Sequence, residues 1–210
     1  MDKPYRKINR NDYEEIMNLI LETWSIGEDF SNSKALNLYL KAFLFDYLAW
    51  SNYQIAVTNN NKIVGFLLGR SDKKSCMRQW LSFTPRSLAA KLRLFFYPSG
   101  KTGLRILRIT NRVNRKLIMH HAKDYQGELC LFAVKPKVKG SGYGVGLLSE
   151  FHEFLKKTKA KSYFLYTDTD CNVGFYEHQG YQLISLDTVR FFPGEKDQAK
   201  YFLFCKEMTQ

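Results

Sequence analysis

Residues 139–144 read Lys-Gly-Ser-Gly-Tyr-Gly, and no other stretch of the chain restricts its folding as much. A β-prone run, Leu129, Cys130, Leu131, Phe132, Ala133 and Val134, leads into these glycines. Leu147, Leu148, Phe151 and Leu155 follow them at the spacing of one helical face. The pattern predicts strand, glycine turn and helix over 131–155. Such a turn is an anion cradle, because glycine lets the backbone approach a ligand closely. The unpaired N–H groups of the helix's first turn then face that ligand, with the helix dipole favouring negative charge.

Spacing narrows the choice of anion. A phosphate-binding P-loop requires Gly-x-x-x-x-Gly-Lys-Ser/Thr, but the position five after Gly140 is Val145 and no Lys-Ser or Lys-Thr follows. A dinucleotide fingerprint, Gly-x-Gly-x-x-Gly, fails as well: its third glycine falls on Val145 or on Leu147.

With Val134-Lys135-Pro136 ahead of it, the hexapeptide resembles the coenzyme A site of the Gcn5-related N-acetyltransferases. That signature is Arg/Gln-x-x-Gly-x-Gly/Ala after a strand ending in Val-x-Pro. Lys139 stands where Arg or Gln is usual, which keeps a positive charge beside a pyrophosphate and loses the planar fork of Arg. A second family signature lies downstream over 172–181, where the core Phe175-Tyr176-x-x-x-Gly180-Tyr181 matches and the spacer after Asn172 is one residue short of the longer form. Together the two motifs cover 128–183, the half of the family's domain that holds the cofactor.

The resemblance implies an α/β (α+β) fold: a mixed, mostly antiparallel sheet of six or seven strands with helices on both faces. The element order agrees. Residues 5–9 read as a first strand, Asn11 or Asp12 as the N-cap of a helix burying Ile16, Leu19 and Ile20, and Ser33 as the start of an aromatic-rich helix over 34–49. Strands follow at 53–58 and 62–69, joined through Asn59-Asn60-Asn61, then at 128–134, 162–167, 181–186 and 200–206, with a short helix over 172–179. The whole chain, 1–210, reads as one acetyltransferase domain in which 71–127 is a basic, helical insertion between the third and fourth strands.

For the chemistry, the resemblance implies acetyl-CoA as donor and an amine as acceptor, small molecule or protein, by direct transfer. An amine of pKa about 10.4 is mostly protonated at neutral pH, so a base has to take its proton before attack. Tyr176 occupies the position of the family tyrosine beside the cofactor sulfur and is the expected proton donor to the leaving thiolate. Glu128, six residues before Val134, is the expected base, with Asp168, Asp170 and His178 as alternatives. Cofactor contacts are expected from the backbone of Phe132, Ala133 and Val134, where an N–H also serves the oxyanion, and from Lys139, Gly140, Ser141, Gly142, Tyr143, Gly144, Asn172 and Tyr176. Asn172 reads equally as a plain helix cap.

Composition sets the remaining bounds. With 210 residues, 45% of them hydrophobic, the chain can bury a sizeable core. No stretch reaches the length of uninterrupted apolar sequence that a membrane span needs, and the first residues carry no signal-peptide core. Cys76, Cys130, Cys171 and Cys205 are far apart, which argues against a zinc site and a disulfide framework and places the protein in the cytoplasm. His120, His121, His152 and His178 lack metal-ligand spacing, so no metal is expected. A monomer or homodimer is expected.

Of the net charge of +12, segment 71–127 carries +11, thirteen bases against Asp72 and Asp124. Arg105, Arg108, Arg112 and Arg115 recur at helical spacing between apolar positions, preceded by a possible second helix around 87–96. Three readings stand side by side: a solvated lid on the acceptor groove, recognition of an anionic acceptor or nucleic acid, and contact with anionic lipid helped by Phe95, Phe96 and Tyr97. The alternative to an enzyme is an acyl-CoA-binding scaffold of low turnover whose basic segment binds nucleic acid, anionic membrane or a protein partner.

Overall fold

Hairpin geometry builds the first half of the sheet. β1 (Tyr5–Lys7), β2 (Tyr53–Asn59) and β3 (Lys62–Ser71) pair antiparallel, and β4 (Gly127–Val134) adds antiparallel to β3. The β2–β3 turn is Asn60-Asn61, at φ 49° and 61°, the double positive φ that a type I′ turn needs and that Asn tolerates. Asn59 pairs with Lys62, so the turn is one residue tighter than expected. The computed structural model describes residues 4–24, 26–121, 124–169, 171–192 and 198–208.

The second half comprises β5 (Ser162–Asp168), β6 (Gln182–Val189) and β7 (Ala199–Glu207), and the spatial order is β1-β2-β3-β4-β5-β7-β6. The two halves meet at the one parallel junction, β4 with β5. Its ladder holds only Glu128↔Phe164 and Leu129↔Leu165, and the strands then part. A register shift in the β3–β4 ladder, between Leu68 and Gly69, skips Cys130 at this point. Such a bulge bends the strand that carries it, which turns β4 away from its parallel neighbour.

On one face lie α1 (Tyr13–Thr23), α2 (Ser33–Trp50), α3 (Met77–Phe95) and α4 (Gly100–Ile118); on the other lie α5 (Tyr143–Lys157) and α6 (Val173–His178). Two helix starts fall where expected and a third does not. Asp12 is the N-cap residue of α1, as expected, but its carboxylate makes no cap bond to that helix and takes both Arg6 guanidinium nitrogens at 2.7 and 2.8 Å, while Asn9 caps the 3-10 turn Arg10–Asp12 that runs into α1. α2 begins at Ser33 as expected, capped by Asn32, whose side-chain oxygen accepts from the N–H groups of Lys34 and Ala35. The helix expected near 87–96 starts ten residues sooner, at Met77, and runs through Pro85. Pro85 and Leu81, four residues before it, are both exposed, which is the side of a helix where a carbonyl left without its N–H partner costs least.

The layer beneath the sheet fixes α5, which the site depends on. Leu147, Leu148, Phe151 and Leu155 are buried against Val57, Val64, Leu67 and Leu165. A Cβ at Gly146 would stand 1.8 Å from the Tyr5 hydroxyl, so glycine here makes room for the Tyr5 ring of β1 against this helix. His152 of α5 shares a 2.7 Å hydrogen bond with the Tyr163 hydroxyl, which bonds in turn to Tyr181. Burial, reinforced by Lys206 and Lys156, pushes the His152 pKa down to about 4. The unfolded chain therefore takes up a proton between about pH 6.5 and 4 that the native state refuses, and stability falls with falling pH across that window. We predict that urea titrations from pH 7 to 4.5 show this loss, at most about 1.4 kcal/mol per pH unit from one histidine, and that His152→Gln flattens it.

Candidate active site

The glycine turn leaves β4 through Lys135 and the 3-10 turn Pro136–Val138, where the Ser141 N–H returns to the Val138 carbonyl. Gly140 and Gly142 take φ of 86° and 79° with open space where a Cβ would go, so glycine is needed here for conformation and not for room. Gly142 is the N-cap of α5 and offers no side-chain cap, and the first bond back to it comes from the Gly146 N–H. The preceding amides are left to an external acceptor, and Lys137, Lys139 and Ser141 are exposed around them. Gly144 sits beside Phe132, Val134 and Phe175.

Beyond the turn, the parting of β4 from β5 opens a cavity of about 640 Å³. Leu129 to Phe132 of β4 and Tyr166 to Asp168 of β5 form its floor. α2 contributes the rings of Tyr39, Phe43 and Tyr47, and α4 contributes Ile106, Thr110 and Asn114. Past Leu129, the edge of β4 that faces β5 carries no ladder partner. Unpaired backbone in a floor of this kind needs hydrogen bonds from something inserted between the strands.

Tyr176 reaches the cavity from α6 while 8% exposed, packed on the rings of Phe175, Tyr181 and Phe204. Burial raises its pKa well above the ordinary tyrosine value, with Cys171, Tyr181 and Asp168 adding to the effect, so the hydroxyl keeps its proton. Cys171 lines the same wall and accepts a hydrogen bond from Trp24 Nε1 at 3.1 Å. Its thiol is pushed up to about 11, mainly by burial and then by Asp168, and is therefore not a thiolate at neutral pH. Asn114 Oδ1, in the α4 wall, is buried and makes no hydrogen bond among the described residues.

Glu128 lies behind the floor, at the closed end of the split. Arg70 Nε donates to its carboxylate at 2.9 Å and also binds Asp72. Burial raises the Glu128 pKa and Arg70 opposes the rise. Its charge reaches the cavity wall: after burial, Glu128 is the leading cause of the raised pKa values of Tyr47 and Tyr166.

Residues 13–181 match the sequence profile of the acetyltransferase (GNAT) family. The chain belongs to this family. Three solved structures of similar fold align over nearly the full length. One, described as SsHAT, has TM-score 0.67 and 15% identity over 98% of each chain. The Escherichia coli ribosomal-protein-S18-alanine N-acetyltransferase has TM-score 0.55 and 12% identity over 98% of this chain and 94% of that one. The Drosophila melanogaster polyamine N-acetyltransferase has TM-score 0.54 and 11% identity over 97% and 98%. At these identities the likeness is one of fold. No curated protein matches the chain.

The GNAT coenzyme A site fits the residues present, through the uncapped α5 amides, the unpaired β4 edge and the cavity behind them. Of the residues expected to serve it, Phe132, Val134 and the 139–144 turn gather at the mouth of the split, with Tyr176 inside. Ala133 points into the opposite core and can serve only through its backbone. Asn172 is exposed and its side-chain oxygen accepts from the Phe175 N–H at 3.2 Å, which is the helix-cap reading. His178 bonds back to the Gly174 carbonyl of its own helix, and Asp170 lies outside the described residues. Among the described residues no group of three His, Cys, Asp or Glu could hold a metal ion, and no helix is long and apolar enough to cross a membrane.

Sequence reasoning missed Arg70, which sits 58 positions from the glutamate it holds, and the inward faces of α2 and α4. The aromatic run of α2 was the available signal. Removing Arg70 leaves a largely buried carboxylate without its partner. We predict that Arg70→Met lowers unfolding stability by about 2 kcal/mol, a partly exposed version of the buried-pair penalty, and that Arg70→Met/Glu128→Met recovers most of it in urea titrations.

Proposed function

We propose that the protein is an acetyl-CoA-dependent N-acetyltransferase acting on a small primary amine by direct transfer. The observation that supports it above all is the cavity at the β4–β5 split, which Tyr176 and the glycine turn approach from one side and α2 and α4 close from the other. In this reading residues 1–210 form one catalytic domain, and α3 and α4 are an addition that roofs the acceptor side. The free Cys76, Cys130, Cys171 and Cys205 suit a reducing cytoplasm.

Bound acetyl-CoA supplies the acyl thioester. The α5 amides and Lys139 hold its pyrophosphate, and the open edge of β4 at Phe132 to Val134 provides N–H donors for the arm and for the carbonyl oxygen. The α2 rings and Asn114 Oδ1 receive a cationic or hydrogen-bond-donating amine. The protonated hydroxyl of Tyr176 donates to the leaving sulfur. Glu128, behind the floor and outside the cavity lining, takes the amine's proton through an intervening water, its raised pKa making it a better base than an exposed carboxylate; Glu28 and Asp168 are the carboxylates that line the cavity itself. The protonated state of Cys171 favours direct transfer over a covalent enzyme intermediate.

Solved neighbours include enzymes named for a ribosomal-protein alanine and for agmatine, so fold alone leaves the acceptor class open. The aromatic rings of Tyr39, Phe43 and Tyr47 and the Asn114 amide in the cavity wall favour the small amine.

Two measurements test this reading. Coenzyme A at about 100 times its Kd should stabilise the fold by about 2.7 kcal/mol, a melting shift of about 5 to 10 °C; saturating coenzyme A with no shift removes the cofactor assignment. In steady-state assays with a panel of polyamines and aryl-alkyl amines, Tyr176→Phe should lower kcat about 100-fold with an unchanged coenzyme A shift. Glu128→Gln should abolish the acidic limb of the pH–rate profile, which rises through the glutamate's elevated pKa. If Asp168→Asn abolishes that limb and Glu128→Gln does not, the base is Asp168.

A further inference from the structure

Seven of the twelve large apolar side chains exposed among the described residues belong to α3 and the residue that ends it: Met77, Trp80, Leu81, Leu88, Leu92, Phe95 and Phe96. They are not scattered. Met77, Leu81, Leu88, Leu92 and Phe95 succeed one another at steps of four, seven, four and three residues, which keeps them on one line along a helix of 3.6 residues per turn. The opposite face, Phe83, Ser87, Ala90 and Leu94, is buried against α2, where Lys91 also binds Asp46 at 2.6 Å. α3 is thus apolar on two sides, and only one of them is used by the fold.

The flank of the outer stripe is cationic. Arg78 and Arg93 are exposed beside it, and Lys101, from the start of α4, lies 5.5 Å from the ring centroid of Phe95, where the stripe meets the arginine-rich face of α4. From Lys73 to His121 the sequence holds twelve Lys and Arg and neither Asp nor Glu. Arg108, Arg112 and Arg115 are exposed and sit outside the cavity wall that α4 presents inward.

We propose that the outer face of α3 is a docking surface for an anionic lipid bilayer, lying in the headgroup region with its stripe inserted and the flanking bases on the phosphates. A line of large apolar side chains running the length of a helix has little apolar surface to bury against in a nucleic-acid groove, whose backbone presents charge and hydrogen-bonding groups. A second copy of the chain placed stripe to stripe would bring two acid-free basic segments together. An anionic bilayer meets both the apolar line and the charge around it. This surface is independent of the transferase reading.

The test uses the full chain and sedimentation with large vesicles, of phosphatidylcholine alone or with about one third phosphatidylglycerol, at 50 and 200 mM salt. Binding is expected to the anionic vesicles only, weaker at the higher salt. Leu88→Glu/Leu92→Glu should reduce it at least tenfold while keeping the parent's melting temperature, because both residues are exposed. Arg78→Glu/Arg93→Glu should reduce it and its salt dependence together. Absence of binding, equal binding to neutral vesicles, or an unchanged Leu88→Glu/Leu92→Glu variant overturns the proposal. So does a parent that elutes as a dimer and becomes monomeric in that variant without binding vesicles. Salt-sensitive binding to RNA that survives the variant, with no vesicle binding, reassigns the bases to nucleic acid.

Discussion

The separation of β4 from β5 after two paired residues is the constraint on which the rest of the molecule turns. Sheets ordinarily satisfy their backbone groups by continuing to pair, and a split leaves polar groups facing an interior. Here the bulge that skips Cys130 starts the divergence, and the ring of Phe132, resting against Phe175 at 5.9 Å, stands where β4 has already left its neighbour. The cavity follows from that divergence, as does the position of the glycine turn at its mouth. The helices complete an opening that the sheet has already made.

Burial then decides the chemistry of the groups gathered there. Tyr176 and Cys171 are both held in their protonated forms mainly by desolvation, so one is fit to donate a hydrogen bond and the other unfit to act as a nucleophile. Glu128 is subject to two opposed influences, burial favouring the neutral acid and Arg70 favouring the carboxylate, and the first is the larger. A carboxyl raised in this way is a stronger base than an exposed one.

Much of this was legible in the sequence, for reasons that differ between elements. The turn at Gly140 and Gly142 was readable because its need for positive φ is local, and only glycine meets it cheaply. Strand and helix order was readable from periodicity. The first half of α3 was not, because Pro85 ordinarily marks a helix boundary and its tolerance here depends on which side of the helix faces water. The starts of α1 and α2 were legible at Asp12 and Ser33, but not the bonding of Asp12, which is drawn away by Arg6. The cavity walls were hidden for a different reason. The spacing of Arg105, Arg108, Arg112 and Arg115 draws attention to the outside of α4, whereas Thr110 and Asn114 matter only once α2 and β5 are folded opposite them.

That helix carries a further consequence. Its period places Ile106, Thr110 and Asn114 on the inner side and the arginines on the outer side, with Val113 and Leu117 buried against the sheet to fix the rotation between them. An exchange at an inner position reshapes the cavity without altering the surface potential, and an exchange at Arg108, Arg112 or Arg115 does the reverse. The lining of the cavity and the charge of the surface can therefore drift separately over evolutionary time, although both are encoded in the same nineteen residues of α4.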